Sequence, residues 1–543
     1  MKTAYLTRRE LMRWLAVGGA TSVAAPSLAA LLEACSSSST PAPKTGGTVS
    51  FAISSEPKVL NPPLRMLQVE LTVISLIFSG LLRMNRDGSY DHDLAESHTV
   101  EDGGRRYRFK LRRGLKWQDG SPLTAADFLF TYQTYVDPKT NPAYLIGWDK
   151  IDSVETPDET TVVYHLKEVF APFLLDVGTN PVLPRHVLAA TTNIRQDPFS
   201  RNPVGCGPFK LKDWQSGSSI LLEANANYWR GRPKLDRLLL KVVPDANTQI
   251  AQLETGELDI TSVGEPAQWQ RVKSLRGVAT ALYGETKYAL VQLGEYRFLK
   301  EVAVRQALDY ATPKDDIIHG ILRNLAVPAL ADVPPGSPYY NSHITRRGYD
   351  LKKASALLAE AGFTMQNGVL TRDGQPLEVP IYAIATVPVY AQVAQVLKDT
   401  WSRIGVKTSV TTMEQSTLFS DKGPVWNGKD SAIVFSWGQG FDPYNYVNWS
   451  SKQIPNNSEE AGENLERYSN PLVDELVVKG VQTADLGQRK KIYDQLQEIL
   501  VQDVPVIFLY WPMALYAYNS KLRGFTPGTF SGVFANVWNW TKS

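Results

Sequence analysis

The chain of 543 residues reads as a mixed α/β (α+β) fold. Three observations carry that reading. Segments of apolar alternation and segments of helical periodicity take turns through both halves, the pattern of strands and helices that share sheets. No repeat recurs at a fixed period. No low-complexity linker follows residue 47, so domains must be joined by ordered crossovers and not by a flexible tether. At roughly 100–200 residues per domain, the length corresponds to two to four compact units.

The elements follow in order. Thr48–Ile53 alternates as a strand and opens the fold. Asn85-Arg86-Asp87-Gly88 is a turn, and Arg106–Leu111 is a half-exposed strand. A helix starts behind Thr124 as N-cap, with Asp127 at its third position completing a capping box. Thr161–Leu166 is a further strand. Asn247–Leu253 is helical, ends at Thr255-Gly256-Glu257, and gives way to a short strand, Leu258-Asp259-Ile260. Val302–Ala311 is a helix with apolar residues at 304, 307 and 308. Leu351–Ala361 is a helix stopped by Gly362. Pro388–Ile404 is another, stopped by Gly405 before a strand at Lys407–Thr411. Leu486–Gln502 is a long amphipathic helix, and Val504–Tyr510 is a buried strand.

Composition narrows the function. The chain is 43% hydrophobic and 21% charged, which excludes a disordered chain, a collagen-like repeat and a polytopic membrane protein. Lys and Arg number 57 against 55 Asp and Glu; removal of residues 1–34 leaves 53 of each sign. A nucleic-acid binder needs a basic face to displace phosphate counterions, and neither the total nor any run of Lys and Arg supplies one. Cys35 and Cys206 are far apart and no CxxC occurs, so a thiolate zinc site and a disulfide framework are excluded. Cys206 reads as a small buried residue in a turn.

The N-terminus is an address. Thr7-Arg8-Arg9-Glu10-Leu11-Met12-Arg13 precedes an uncharged stretch from Trp14 to Leu32. A basic region followed by a weakly apolar one is an export signal, and the paired arginines resemble a twin-arginine signal. Leu32-Glu33-Ala34-Cys35 resembles a bacterial lipobox, with Cys35 the residue that is lipidated and becomes the new N-terminus. A membrane span is the competing reading, but Gly18, Gly19, Thr21, Ser22, Pro26 and Ser27 make the stretch a poor insertion segment. The polar run Ser36–Gly47 is a tether that would hold a lipid-anchored domain off the membrane.

A search for catalytic chemistry returns little. GxSxG, GxxxxGK[ST] and HExxH are absent. Gly205-Cys206-Gly207 is a partial GxG, but Pro208 follows it, which argues against a dinucleotide loop. The richest titratable cluster is Asp91-His92-Asp93 with Glu96 and His98. Two histidines among carboxylates could hold a metal, yet the spacing meets no rule for a known site, and a solvated loop followed by a short helix is expected instead. Glu459/Glu460 and Asp315/Asp316 are adjacent pairs, which diverge on either kind of backbone and belong to the solvated surface. A large exported α/β chain without nucleophile, metal cage or cofactor loop is expected to bind and not to react. The 13 Trp and 24 Tyr suit ligand pockets.

Several segments in order carry a resemblance. They are Leu94-Ala95-Glu96-Ser97; Tyr107–Asp127, with Gly114-Leu115-Lys116-Trp117-Gln118-Asp119-Gly120 at its centre; Asn202–Phe209; Asn227-Tyr228-Trp229-Arg230-Gly231; Gly256-Glu257-Leu258-Asp259; Val304–Ala311; and Tyr349–Gly362. Together they resemble the family 5 extracellular solute-binding proteins, the peptide- and nickel-type receptors of ABC importers. The resemblance implies a two-lobe periplasmic-binding-protein fold with two crossover segments and an extra subdomain on lobe I. The expected boundaries are lobe I at 47–285, with the subdomain at about 85–200, lobe II at 286–504, and a return to lobe I at 505–543. The crossovers are expected near Tyr283–Gln292 and Val504–Tyr510.

The same resemblance implies a monomeric receptor without cofactor, enzyme activity or nucleic-acid partner. It would be exported and lipid-anchored at the outer face of the bacterial cytoplasmic membrane, or periplasmic, and would hand a peptide or oligopeptide to membrane permease subunits. The alternatives are an oligosaccharide or similar solute for the same receptor, and an exported hydrolase. The expected ligand contacts are Trp437, Gly438, Gln439, Gly440, Phe441 and Asp442, with Trp426 and, from lobe I, Glu56. In peptide-binding members an Asp in the loop after a lobe II strand pairs with the peptide ammonium; here strand and loop read Ile433–Pro443, and that position falls on Gln439 or Gly440. The stretch matching the carboxylate-gripping Arg of dipeptide binders, Tyr382–Pro388, contains no cation. The usual zwitterion clamp is therefore not expected, and Trp437, Phe441, Trp426, Tyr444 and Tyr446 offer stacking surfaces for an uncharged solute.

Overall fold

Capping residues and apolar alternation set most element boundaries in the computed structural model, which describes residues 46–426, 429–457 and 462–543. The export signal, Cys35, most of the tether and Glu459/Glu460 lie outside the described residues. Thr48–Ile53 forms β1 and Gln68–Ile77 forms α1. Glu70 is buried at the start of α1, and its carboxylate accepts from the backbone amides of Met66 at 2.7 Å, Leu67 at 2.9 Å and Lys58 at 3.0 Å. The Leu67 amide belongs to the N-cap, a donor that a helix start leaves open, and the other two tie the preceding segment to the helix.

Four strands follow: Ala95–Glu101 (β2), Arg106–Leu111 (β3), Ile151–Asp158 (β4) and Thr161–Leu166 (β5). They form an antiparallel sheet in the order β2-β3-β5-β4. Helix α2, Ala125–Val136, starts at the expected cap, with the Thr124 backbone N–H donating to Asp127 Oδ2 at 2.8 Å. The short helix α3 is Phe173–Asp176. Tyr107, Phe109, Trp117, Phe128, Tyr164 and Phe173 fill one core here, separate from that of the large sheet.

The rest of the first half comprises Phe209–Gln215 (β6), Ser219–Ala224 (β7), Arg237–Val242 (β8), Ala246–Thr255 (α4), Ile260–Ser262 (β9) and Val278–Gly284 (β10). The second half comprises Lys287–Leu293 (β11), Val302–Tyr310 (α5), Ala326–Pro328 (β12), Leu351–Glu360 (α6), Ile381–Ile384 (β13), Pro388–Arg403 (α7) and Val410–Met413 (β14). Ala432–Gly438 (β15), Pro471–Gln482 (α8), Leu486–Asp503 (α9) and Val506–Asn519 (β16) complete it.

The large sheet runs β14-β13-β15-β11-β16-β9-β1-β8-β7-β6, with β10 and β12 also on β16. It is divided along β16. The first part of that strand pairs with β11, from Val506 opposite Gln292 to Tyr510 opposite Ala289. The last part pairs with β10, from Met513 opposite Gly284 to Asn519 opposite Val278. Each division has its own core. Phe51, Ile74, Leu238 and Trp540 belong to the first lobe. In the second lobe, Ala289 and Val434 pack under Leu397 and Trp401 of α7, while Leu290 and Phe435 pack under Leu496 and Leu500 of α9.

Several expectations shift, each for a local reason. β16 does not end at Tyr510, and its pairing changes lobe between Tyr510 and Met513. Pro512 lacks a donor, but its carbonyl accepts from the Glu285 N–H at 2.9 Å, so the ladder continues past it. The short strand expected at Leu258–Ile260 begins at Ile260, because the Leu258 N–H donates to Gln252 O at 2.9 Å and still closes α4. The strand expected from Lys407 begins at Val410, and Lys407 makes only an isolated bridge to Glu378. The His92/His98 segment is not loop and helix. Tyr90–His92 and Ala95–Glu101 are both strands, and His98 lies opposite Phe109, their rings stacked at 5.6 Å. His92 Nε2 and His98 Nδ1 are 2.9 Å apart, and burial lowers the His98 pKa.

Cys206 is buried beside the Ser79 carbonyl, and burial pushes its thiol up. The glycines flanking it serve close packing. A Cβ on Gly205 would stand 2.0 Å from the Ile77 carbonyl oxygen, and one on Gly207 2.7 Å from the Ile77 carbonyl carbon. Gly205→Ala should therefore cost about 1–3 kcal/mol by overpacking, whereas Gly348→Ala, with nothing within 4 Å, should be near neutral. Equal denaturant midpoints for the two variants would refute this account.

Candidate functional site

The crossover is lined by a cavity of about 490 Å³. Its walls come from both lobes. The first contributes Gln68 and Thr72 of α1, Ser262–Gly264 after β9, Tyr283, Tyr516 and Thr529. The second contributes Ala289, Leu325, Val389 and Tyr390 at the start of α7, Ser436 and Tyr510. The crossing segments themselves, Glu285–Lys287 and Pro512–Met513, form its back. Glu285 and Thr286 link the end of β10 to the start of β11, which brings Tyr283, Glu285, Thr286 and Lys287 to one wall. Tyr283 and Tyr516 stack nearly parallel, at 5.9 Å and 8°.

The lining is aromatic and hydroxyl-rich, and its charged residues are Glu285 and Lys287. Burial pushes the Glu285 carboxyl up, and Lys287 pulls it back in part. Burial also raises Tyr283, Tyr510 and Tyr516, so the phenols are neutral donors and acceptors. Among the described residues no group of three or more His, Cys, Asp or Glu side chains is placed to hold a metal ion.

The residues expected from sequence lie around this cavity and not on its wall. Trp437 is on the face of β15 opposite Ser436, edge-on to Phe435 at 5.2 Å. Gly438 is exposed beside the crossover, and the Gln439 N–H donates to Thr286 O at 2.8 Å. The buried Gln439 side chain accepts from the Tyr444 N–H at 3.3 Å, and Gly440 is exposed. Asp442 is held by Arg489, whose Nη1 donates to Oδ2 at 2.6 Å. Trp426 packs at the edge of the second-lobe core and donates to Phe419 O at 3.3 Å. Glu56 lies elsewhere, accepting from Trp214 Nε1 at 2.7 Å and the Gly217 N–H at 2.8 Å, where it ties down the β6–β7 turn.

Phe441 joins the lobes. Its ring is T-shaped to Phe530 at 5.1 Å, and Gly88, at φ +84°, leaves space that a Cβ would fill 1.8 Å from that ring. The seam continues through Phe170 and Tyr444 at 5.8 Å, the Ala171 N–H donating to Val481 O at 2.7 Å, and Gln482 Nε2 donating to Glu168 at 2.9 Å. The lobes are closed on one another.

The profile of the bacterial extracellular solute-binding proteins, family 5, matches residues 90–458. The chain belongs to this family. The oligopeptide-binding protein AppA of Bacillus subtilis is 29% identical over 517 residues, covering 92% of this chain and 94% of that protein. The dipeptide-binding protein of Escherichia coli is 26% identical over 456 residues, 80% of this chain and 83% of that protein. The structure of AppA with a nonapeptide superposes with a TM-score of 0.79 at 27% identity, over 92% of this chain and all of that one. NikZ from Campylobacter jejuni with Ni(L-His) superposes at 0.81 and 29% identity, over 91% and 99%.

The cavity residues of this family 5 chain were missed in sequence for a physical reason. Tyr283, Glu285 and Tyr510 sit in stretches read only as crossover, Tyr516 lies past the strand expected to end at Tyr510, and nothing local distinguishes a wall from a filling. The one available signal was Glu285, a carboxylate inside a crossover stretch of apolar alternation.

Closure carries its own titration. Asp176, in α3 of the first lobe, has Oδ2 buried without a hydrogen bond. Burial pushes its carboxyl up to about 8, the Asp442 carboxylate of the second lobe adding to the rise and Arg489 opposing it. In an open molecule solvent returns the group to the ordinary range. A pKa raised on closure means that this group's support for the closed form is full below the ordinary carboxyl pKa and is lost as pH rises through about 8. Burial also raises Glu295, to about 7, and Glu466, to about 8, and the charged groups acting on both belong to the second lobe. The closed fraction of wild type, read by small-angle scattering, should fall between about pH 4 and 8, and Asp176→Asn should make that fall shallower, the carboxyl of Glu285 at the crossover keeping its own share. Superimposable profiles would rule out the coupling.

Proposed function

We propose that this chain is the extracytoplasmic substrate-binding receptor of an ABC importer, which captures a short peptide between its lobes and delivers it unaltered to a membrane permease. The observation that carries the reading is the cavity at the crossover, walled by both lobes: a ligand filling it touches both and so favours closure. Its volume falls in the range of roughly 300–1,000 Å³ typical of small-molecule sites. Peptide binding by AppA and by the E. coli dipeptide receptor favours the same ligand class. The aromatic set that suggested an uncharged sugar, Trp437, Phe441, Trp426, Tyr444 and Tyr446, packs in cores and along the seam, so it lends no support to an oligosaccharide.

The lobes divide at the two crossings, 284–287 and 510–513, and the receptor works as a monomer without a catalytic role. Its export follows from the paired arginines, and its anchorage from lipidation of Cys35, with the polar run behind it as tether. Among the described residues no helix is long and apolar enough to cross a membrane.

A pool of tri- to pentapeptides should raise the melting temperature in proportion to the logarithm of concentration and reduce the radius of gyration. Saturating ligand without compaction would contradict closure, and hydrolysis of the pool would transfer the reading to an enzyme. Cys35→Ser should move the protein from the membrane fraction to the soluble one; unchanged retention would mean that the N-terminal stretch itself is the anchor.

A further inference from the structure

Glu285 stands in the wall of the cavity with its charge unmet. Its backbone is fixed, the N–H bonded to Pro512 O at 2.9 Å across the two crossing strands. Its carboxyl makes no hydrogen bond or ion pair with the described residues, and the charge that acts on it is that of Lys287, two positions on, which is exposed to solvent. Tyr283 and Tyr516 line the same cavity, their rings stacked at 5.9 Å. A carboxylate that loses water on closure needs a counter-charge, and among the described residues none is in contact with this one, Lys287 acting on it from solvent.

We propose that the cavity takes a ligand bearing a positively charged nitrogen, an ammonium or a guanidinium, held by Glu285 and set against Tyr283 and Tyr516. The inference deepens the receptor reading and rests on it. A carboxylate accepts from such a donor in a charge-assisted bond. Phenol oxygens accept its remaining hydrogens, and ring faces attract a cation. Position matters as much as charge. Glu285 lies on the crossover, so its water is removed only when the lobes shut, and a ligand cation that replaces that water favours the shut form over the open one. Neither Gln439 nor Gly440, nor any residue of Tyr382–Pro388, carries a charge that could do this from elsewhere.

The test is calorimetric titration of the full chain with tri-alanine, N-acetyl-tri-alanine and spermidine, on wild type and Glu285→Gln. The variant is isosteric, and its melting temperature should be no lower than that of wild type. Wild type should bind tri-alanine at least tenfold more tightly than its acetylated form, and Glu285→Gln should erase the difference. If wild type binds both peptides equally, or the gap survives in the variant, the cation site is overturned while the peptide receptor stands. If neither peptide binds but spermidine does, and Glu285→Gln weakens it at least tenfold, the cation site stands and the peptide reading falls. If spermidine binding is then indifferent to Glu285, or nothing binds, both fall.

Discussion

The antiparallel passage of two strands between the lobes is the constraint on which the rest of the molecule depends. One segment crosses at Gly284–Lys287 and the other at Tyr510–Met513, and they are tied by the bond from the Glu285 N–H to Pro512 O. Two linked crossings leave the lobes little freedom except to open and shut about them. A covalent hinge without pairing would let them twist or separate. The cavity lies against this joint, so whatever fills it is read where motion originates, and small contacts there act on the whole equilibrium.

Buried charge is used for rigidity away from the cavity. Arg489 is almost fully buried, yet its donors are met by Asp442, by Gly480 O at 2.6 Å and by the Tyr339 hydroxyl at 3.0 Å. These contacts bind α8, α9 and the loop after β15 into one unit, and that unit carries Phe441 to the first lobe. Arg305 does the same inside the second lobe, donating to Leu299 O, Lys300 O, Asp503 O and Val504 O. Such groups are tolerated because several carbonyl, hydroxyl or carboxylate oxygens accept from each guanidinium; removing one partner would strand the other in a medium that solvates it poorly. Glu285 is the contrast, a charge in the cavity with no such arrangement around it.

How much of this could be read from sequence follows from the range of the forces involved. Helix limits were legible because caps act over three or four residues: Thr124 with Asp127, and Gly256, Gly362 and Gly405 in left-handed conformation at the ends of their helices. The strand running from Val506 to Asn519 was not, because Pro512 is a stop signal locally and only the partner strand explains why the ladder survives it. The loop Gly438–Asp442 was expected to contact ligand, and the partners its residues take in the fold were not legible. Asp442 is committed to Arg489, 47 positions away, and Phe441 to Gly88, which is more distant still. The tyrosines of the cavity were invisible for the same reason: an alternating strand shows that one face is covered, not whether protein or ligand covers it.

That last ambiguity bears on how such a site selects. Hydroxyls and aromatic faces satisfy many ligands about equally, so a lining made mostly of them discriminates weakly by contact. Selection then falls to the free energy of closing. The apparent affinity of any ligand is reduced by the fraction of molecules unable to shut around it, and each ligand must offset the desolvation that shutting imposes. On this surface the charged groups that closure desolvates are Glu285 at the joint and Asp176 at the seam, and the neutral hydroxyls around them cost less to dry. A ligand that leaves Glu285 unmet can fit the space and still fail to hold the lobes together. Specificity in this chain is therefore a property of the closed state as a whole, set less by the number of contacts than by which buried charge the guest leaves unanswered.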